Sequence, residues 1–148
     1  MDIRSAEITI WNNKAYIPTP ARYLNEGPFT NLEPIHVVDP TLSELVPLVQ
    51  NILSEKPKIL PNPTSEEIKF RRDLLPKATG ARSWKRLSQN GIAYGIVLTE
   101  KGLELEISEL DKKGRWVFSA EKRMSFPAGS DLSVVIQAML DDLEKRPK

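Results

Sequence analysis

The chain contains no cysteine among its 148 residues. That absence excludes disulfides, thiolate nucleophiles, thiolate zinc sites and cysteine-held iron–sulfur clusters together. Histidine occurs once, at His36. A Ser–His–Asp triad would have to use it, and no nucleophile-elbow motif accompanies it. A zinc site would have to join it to carboxylates alone, without histidine-pair spacing. The 7 glycines match neither a phosphate-binding loop nor a dinucleotide fingerprint. No apolar run approaches the length of a membrane span. The opening residues, Met1-Asp2-Ile3-Arg4, lack the basic stretch and apolar run of a signal peptide. The formal net charge is only +1, so no global field steers the chain towards nucleic acid or a basic partner. The expectation is a cytoplasmic protein that is not an enzyme, with no cofactor, no metal and no membrane contact.

What is present suits an ordinary folded domain. Hydrophobic residues make up 40% and charged residues 28%, which argues against wholesale disorder. A chain of this size buries roughly two-thirds of the surface its unfolded form exposes. One domain spanning residues 1–148 is expected.

The residue patterns predict an α+β fold. Glu7-Ile8-Thr9-Ile10-Trp11 alternates, Asn12-Asn13 suits a tight turn, and Lys14-Ala15-Tyr16-Ile17 returns as the second strand of a hairpin. Pro18 and Pro20 should end that pairing, since neither can donate to a ladder. Residues 18–34 read as an ordered loop and 34–38 as a short strand. Thr41-Leu42-Ser43-Glu44 fits a capping box that opens a helix over about 41–55, kinked or started at Pro47. Residues 56–63 read as a stiff proline-rich connector. Thr64-Ser65-Glu66-Glu67 opens a further helix that Pro76 should end. Ala81, Trp84 and Leu87 mark a third, closed by Asn90-Gly91. An antiparallel meander is expected over about 92–126, since Leu103-Glu104-Leu105-Glu106-Ile107 alternates strictly. A last helix over about 131–145, capped by Ser130 or Asp131, carries Leu132, Val135, Ile136, Met139, Leu140 and Leu143 on one face. It should cover the apolar face of the sheet.

Two charge patches frame the functional reading. Between Lys69 and Arg86 stand seven basic residues and one acid, Asp73, with Phe70 and Trp84 among them. Between Glu100 and Asp111 stand five acids and one base, Lys101. The basic segment admits phosphate contact through Lys and Arg, or merely solvated helix faces with Trp84 at core spacing. Taken together, separated acidic and basic surfaces suit a protein partner. Carboxylate catalysis stays open as well, because such pairs leave no spacing signature.

The order of elements resembles that of small bacterial immunity-type proteins, which bind and block a cognate toxin. The residues that carry the resemblance are Glu7 to Thr19, Gly80-Ala81-Arg82-Ser83-Trp84-Lys85, and the hairpin from Gly91 to Leu110 followed by a closing helix. The resemblance implies an α+β fold and a toxin as protein partner, neutralised by steric occlusion. It transfers no binding residue. From the sequence itself, the candidate partner-binding residues are Tyr23, Phe29, Arg82, Trp84, Arg86, Glu104 and Glu106, while Trp11 and Trp116 are expected in the core or on a sheet face. Two alternatives accompany this expectation: a nucleic-acid-binding accessory protein using residues 69–86, and a carboxylate enzyme using Glu104 and Glu106.

Overall fold

A computed structural model describes residues 3–24 and 30–146. The elements follow in the order β1 (Arg4–Trp11), β2 (Lys14–Tyr23), β3 (Thr30–Val38), α1 (Leu42–Ser54), β4 (Lys58–Leu60), α2 (Ser65–Arg72), α3 (Leu74–Thr79), α4 (Trp84–Asn90), β5 (Ile92–Thr99), β6 (Gly102–Leu110), β7 (Trp116–Phe118), β8 (Met124–Pro127) and α5 (Leu132–Lys145). The fold is α+β, with the strands joined in one sheet of order β3-β2-β1-β5-β6-β7, β4 beside β2 and β8 beside β6.

The first hairpin turns where its sequence requires. Asn12 and Asn13 hold φ of 50° and 63°, the positive values that a two-residue turn demands and that Asn tolerates. β1 then pairs antiparallel with β5, from Arg4 opposite Leu98 to Ile10 opposite Ile92. That pairing joins the hairpin to the C-terminal strands.

Several local expectations are corrected. β2 runs through Pro18 and Pro20 instead of ending at them. Its pairing with β1 stops at Tyr16 and its parallel pairing with β4 starts at Ala21. Between them only β3 lies alongside, so one side of the strand needs no backbone donor, and proline is tolerated there. The expected loop over 18–34 is therefore largely strand, apart from 25–29, which lie outside the described residues. The expected connector likewise contains β4. At α1, Thr41 makes no side-chain cap; Glu44 instead accepts a hydrogen bond from the Asp39 backbone N–H. Pro47 sits inside α1, between the buried Leu45 and Val49. The capping box at Thr64 and Glu67 forms as expected, but α2 ends at Arg72 and Pro76 lies in the first turn of α3, where a missing N–H costs nothing. The meander also departs from its expected path. β8 pairs with residues 102–105 of β6 and β7 with residues 108–110, so both strands share one neighbour.

Alternation sorts the side chains onto two faces. On one, Ile8, Ile17, Ile96 and Leu105 are fully buried beneath Leu45 and Val49 of α1 and Val135, Ile136 and Met139 of α5. Each such side chain contributes roughly 1.5–3 kcal/mol by leaving water. Asp131 caps α5, accepting from the Ser133 N–H at 3.1 Å. At its other end, buried Tyr94 donates to Asp142 at 2.7 Å, and Arg146 reaches both Asp142 (2.9 Å) and the Ser108 carbonyl (2.7 Å). This clasp fixes the helix across the sheet. On the opposite face, Leu75, Ala81 and Leu87 form a second cluster with Trp11, Tyr16, Ile35, Trp84 and Trp116 around it. Trp11 and Trp116 thus take the packing positions expected of them.

Candidate interaction surface

The second cluster holds the short helices in place and thereby sets their outer surface. Thr79 closes α3: its hydroxyl lies within hydrogen-bond reach of the Leu75 and Pro76 carbonyls and accepts from the Ala81 N–H at 3.3 Å. Ala81 is fully buried. Arg82 follows in the left-handed region, at φ 74°, with its backbone N–H bonded to the Pro76 carbonyl at 3.1 Å. Ser83 caps α4 by accepting from the Arg86 N–H at 3.2 Å. The result projects Arg82, Lys85 and Arg86 into solvent. Among the described residues no ion pair engages any of the three.

Two arginines of the basic segment behave differently. Arg71 donates to the Tyr23 hydroxyl at 2.8 Å, stands 5.4 Å from that ring's centre and lies 3.6 Å from Glu67. Tyr23 therefore ties β2 to α2, with its ring already in a cation–π contact. Arg72 lies 3.7 Å from Asp73. The segment is thus divided: Arg71 and Arg72 are engaged within the fold, whereas Lys69, Lys77 and the cations of α4 make no ion pair among the described residues. Phe29 lies outside the described residues.

Trp84 is half-buried. Its indole N–H donates to the Arg72 carbonyl at 2.8 Å, and its ring meets that of Trp116 edge to face, with centres 6.2 Å apart. The Trp116 N–H reaches the Gly91 carbonyl at 3.4 Å. Both indole N–H groups are thus bonded to backbone carbonyls, and the ring surface that remains is apolar. That surface lines an open groove of about 450 Å³ with Lys85, Ser88, Lys113, Gly114 and Arg115. The far wall is the β6–β7 turn. There Asp111 accepts from the backbone N–H groups of Lys113 and Arg115, both at 2.9 Å, and from the Arg115 guanidinium at 3.0 Å. These bonds, the Arg115 N–H first, hold the Asp111 carboxyl below its ordinary pKa. Ser88 locks the turn to α4 by donating to the Gly114 carbonyl at 2.7 Å.

Glu104 and Glu106 stand on the same sheet face as this groove but apart from it. In strand register Glu7 is opposite Gly95, and Gly95 is opposite Glu106. Glu7 is the residue that sequence reasoning missed. Its alternation with Ile8 placed it on this face, but only the β1–β5 pairing brings it into the row. Its carboxyl is raised above the ordinary value, first by loss of hydration over the sheet and then by the like charge of Glu106. By surface area, however, Glu7 is exposed, which limits that loss of hydration. The acidic segment is also largely neutralised from within: Arg123 lies 3.6 Å from Glu106, Lys122 lies 3.2 Å from Glu109, and Asp111 is used by the turn. The two expected patches are therefore unequal. Neither Glu104 nor Glu106 lines the tryptophan groove or the cleft of about 240 Å³ between α1 and β3 that holds His36. Among the described residues no group of three or more histidines and carboxylates is arranged to hold a metal ion. Among the same residues no helix is long and apolar enough to cross a membrane.

No protein-family model matches the chain, and no curated protein does. Solved structures do. A protein of unknown function from Neisseria meningitidis superposes with a TM-score of 0.71 at 14% identity, over 99% of this chain and 96% of that one. A chain of a CdiA-CT/CdiI toxin and immunity complex from Yersinia pseudotuberculosis superposes with a TM-score of 0.68 at 12% identity, over 95% of this chain and 97% of that one. At such identities the likeness is one of fold, and it extends over nearly the whole chain. The resemblance drawn from the order of elements is met at that level.

Proposed function

We propose that the chain is a protein-binding module of the immunity or inhibitor kind, which neutralises a cognate toxin by covering it. The observation that carries this reading is the outer edge of α4, where exposed Arg82, Lys85 and Arg86, none in an ion pair among the described residues, flank half-buried Trp84. Charges left without internal partners cost little in solvent and are available to an acidic surface, where they raise association rate and specificity. Aromatic and arginine side chains at such an edge are the types that dominate binding energy once a partner excludes water. The fold shared with a chain of a toxin and immunity complex supports the same reading.

Within this reading the anchors are Trp84, Arg82 and Arg86. Tyr23 acts as a brace through Arg71, and Glu106 is held by Arg123, which leaves Glu104 as a secondary acidic contact. The test is co-expression. The reading predicts a toxin-like coding region beside the gene for this chain; that region, expressed alone, should arrest growth, and adding this chain should restore it. The two proteins should then co-purify in a fixed ratio. Growth that stays arrested, with no stoichiometric complex, would contradict the reading.

A further inference from the structure

The groove between α4 and the β6–β7 turn has features that the exposed edge of α4 alone does not. Its floor is the edge-to-face pair Trp84 and Trp116, whose N–H groups are both spent on backbone carbonyls. Its rim carries Lys85 and Lys113, which no ion pair engages among the described residues, and Arg115, which is paired with Asp111. Its walls are built in advance, by the Ser88 bond to Gly114 and the Asp111 bonds across the turn. A pre-formed apolar floor binds an apolar side chain without first ordering itself. A rim of net positive charge above that floor selects carboxylates around the side chain.

We infer that this groove receives a short acidic segment of a partner protein, with one aromatic or aliphatic side chain seated on Trp84 and Trp116 and its flanking carboxylates on Lys85 and Lys113. The inference rests on the protein-binding reading and names the chemistry of the partner at that site. A nucleic acid fits less well. The groove's own rim offers two cations that no ion pair engages among the described residues, Lys85 and Lys113, against the run of phosphate contacts that a nucleic acid requires.

The test uses the full chain, labelled with nitrogen-15, and the peptide acetyl-Asp-Glu-Phe-Leu-Glu-Asp-amide. The indole N–H signals of Trp84 and Trp116 should move on titration and that of Trp11 should stay. The variant carrying Lys85→Glu and Lys113→Glu replaces exposed side chains, so its free spectrum should keep the native dispersion. Its affinity for the peptide should fall at least about tenfold, as should that of the native chain for the peptide with Asn and Gln in place of its acids. Equal binding by the variant, no shift of the two indole signals, or equivalent shifts with an oligothymidylate would each overturn the inference. The same variant in the growth assay separates this inference from the broader reading. Protection lost in the variant supports the groove. Protection kept in full overturns the groove and leaves the protein-binding reading standing. Absence of protection by the native chain removes both.

Discussion

Glu7, Gly95 and Glu106 occupy one row across three strands, and their chemistry depends on that register. A Cβ at Gly95 would stand 3.2 Å from the Glu106 carboxylate oxygen, so the glycine leaves room for that side chain to lie across the sheet. The raised pKa of Glu7 has a consequence for stability. A carboxyl whose folded pKa exceeds its unfolded value holds its proton more tightly in the native chain. Stability then falls as the pH rises from the unfolded value, near 4.5, through the raised folded value. Glu7→Gln removes this term. It should raise the thermal midpoint at neutral pH and flatten the decline between pH 4.5 and neutrality. Thermal unfolding followed across that range checks it, and an unchanged slope would remove Glu7 from the account. The effect is modest, because part of the side chain meets water and solvent screens it. None of this was legible from Glu7 alone. Its residue type and its alternation with Ile8 assign a face, but the like charge beside it comes from a strand about a hundred positions away.

At the scale of elements, α4 depends on Gly91 for a reason other than the one its position suggests. The dipeptide Asn90-Gly91 reads as a helix end in the left-handed region. Gly91 instead has φ −111°, a value open to any residue. What excludes a side chain is proximity: a Cβ would lie 2.8 Å from the Leu87 carbonyl oxygen and 2.9 Å from that of Ile10. Gly91→Ala should therefore force α4 away from β1, at a cost of about 1–3 kcal/mol, read as a lowered denaturant midpoint. A midpoint equal to that of the native chain would show that the junction yields. The same contrast explains which elements the sequence discloses. α5 and the β5–β6 hairpin carry their signal locally, as an apolar stripe and as strict alternation. β4, the length of β2 and the placement of β7 and β8 do not. Each is defined by a neighbour from another part of the chain: β4 by residues 21–23 of β2, and β7 and β8 by opposite halves of β6. Proline at 18 and 20 signals a break only on the assumption that both sides of the strand are paired.

For the whole molecule, the decisive feature is that the sheet is covered by helices on both faces but unequally. The α1 and α5 layer buries the larger core. The short α2–α4 segment covers one end of the opposite face over a smaller cluster and presents its own outer edge. The candidate site was partly legible: Trp84, Arg82 and Arg86 stood out by type and by the local excess of positive charge. What was not legible was which charges the fold consumes. Arg71 goes to Tyr23 and Glu67, Arg123 to Glu106 and Lys122 to Glu109, so the two patches that look opposed in sequence become one engaged and one open surface. Nor could spacing reveal Trp116, which reaches Trp84 only because the Asp111 turn folds back onto α4. The central claim is that the open surface is where a partner protein sits. Hydrogen–deuterium exchange on the complex of this chain with the partner protein that the proposed function requires tests it most directly. Binding should slow exchange in α4 and across residues 111–118 and leave α1 and α5 unchanged. Protection confined to α1 and α5, with α4 exchanging as in the free chain, would contradict it.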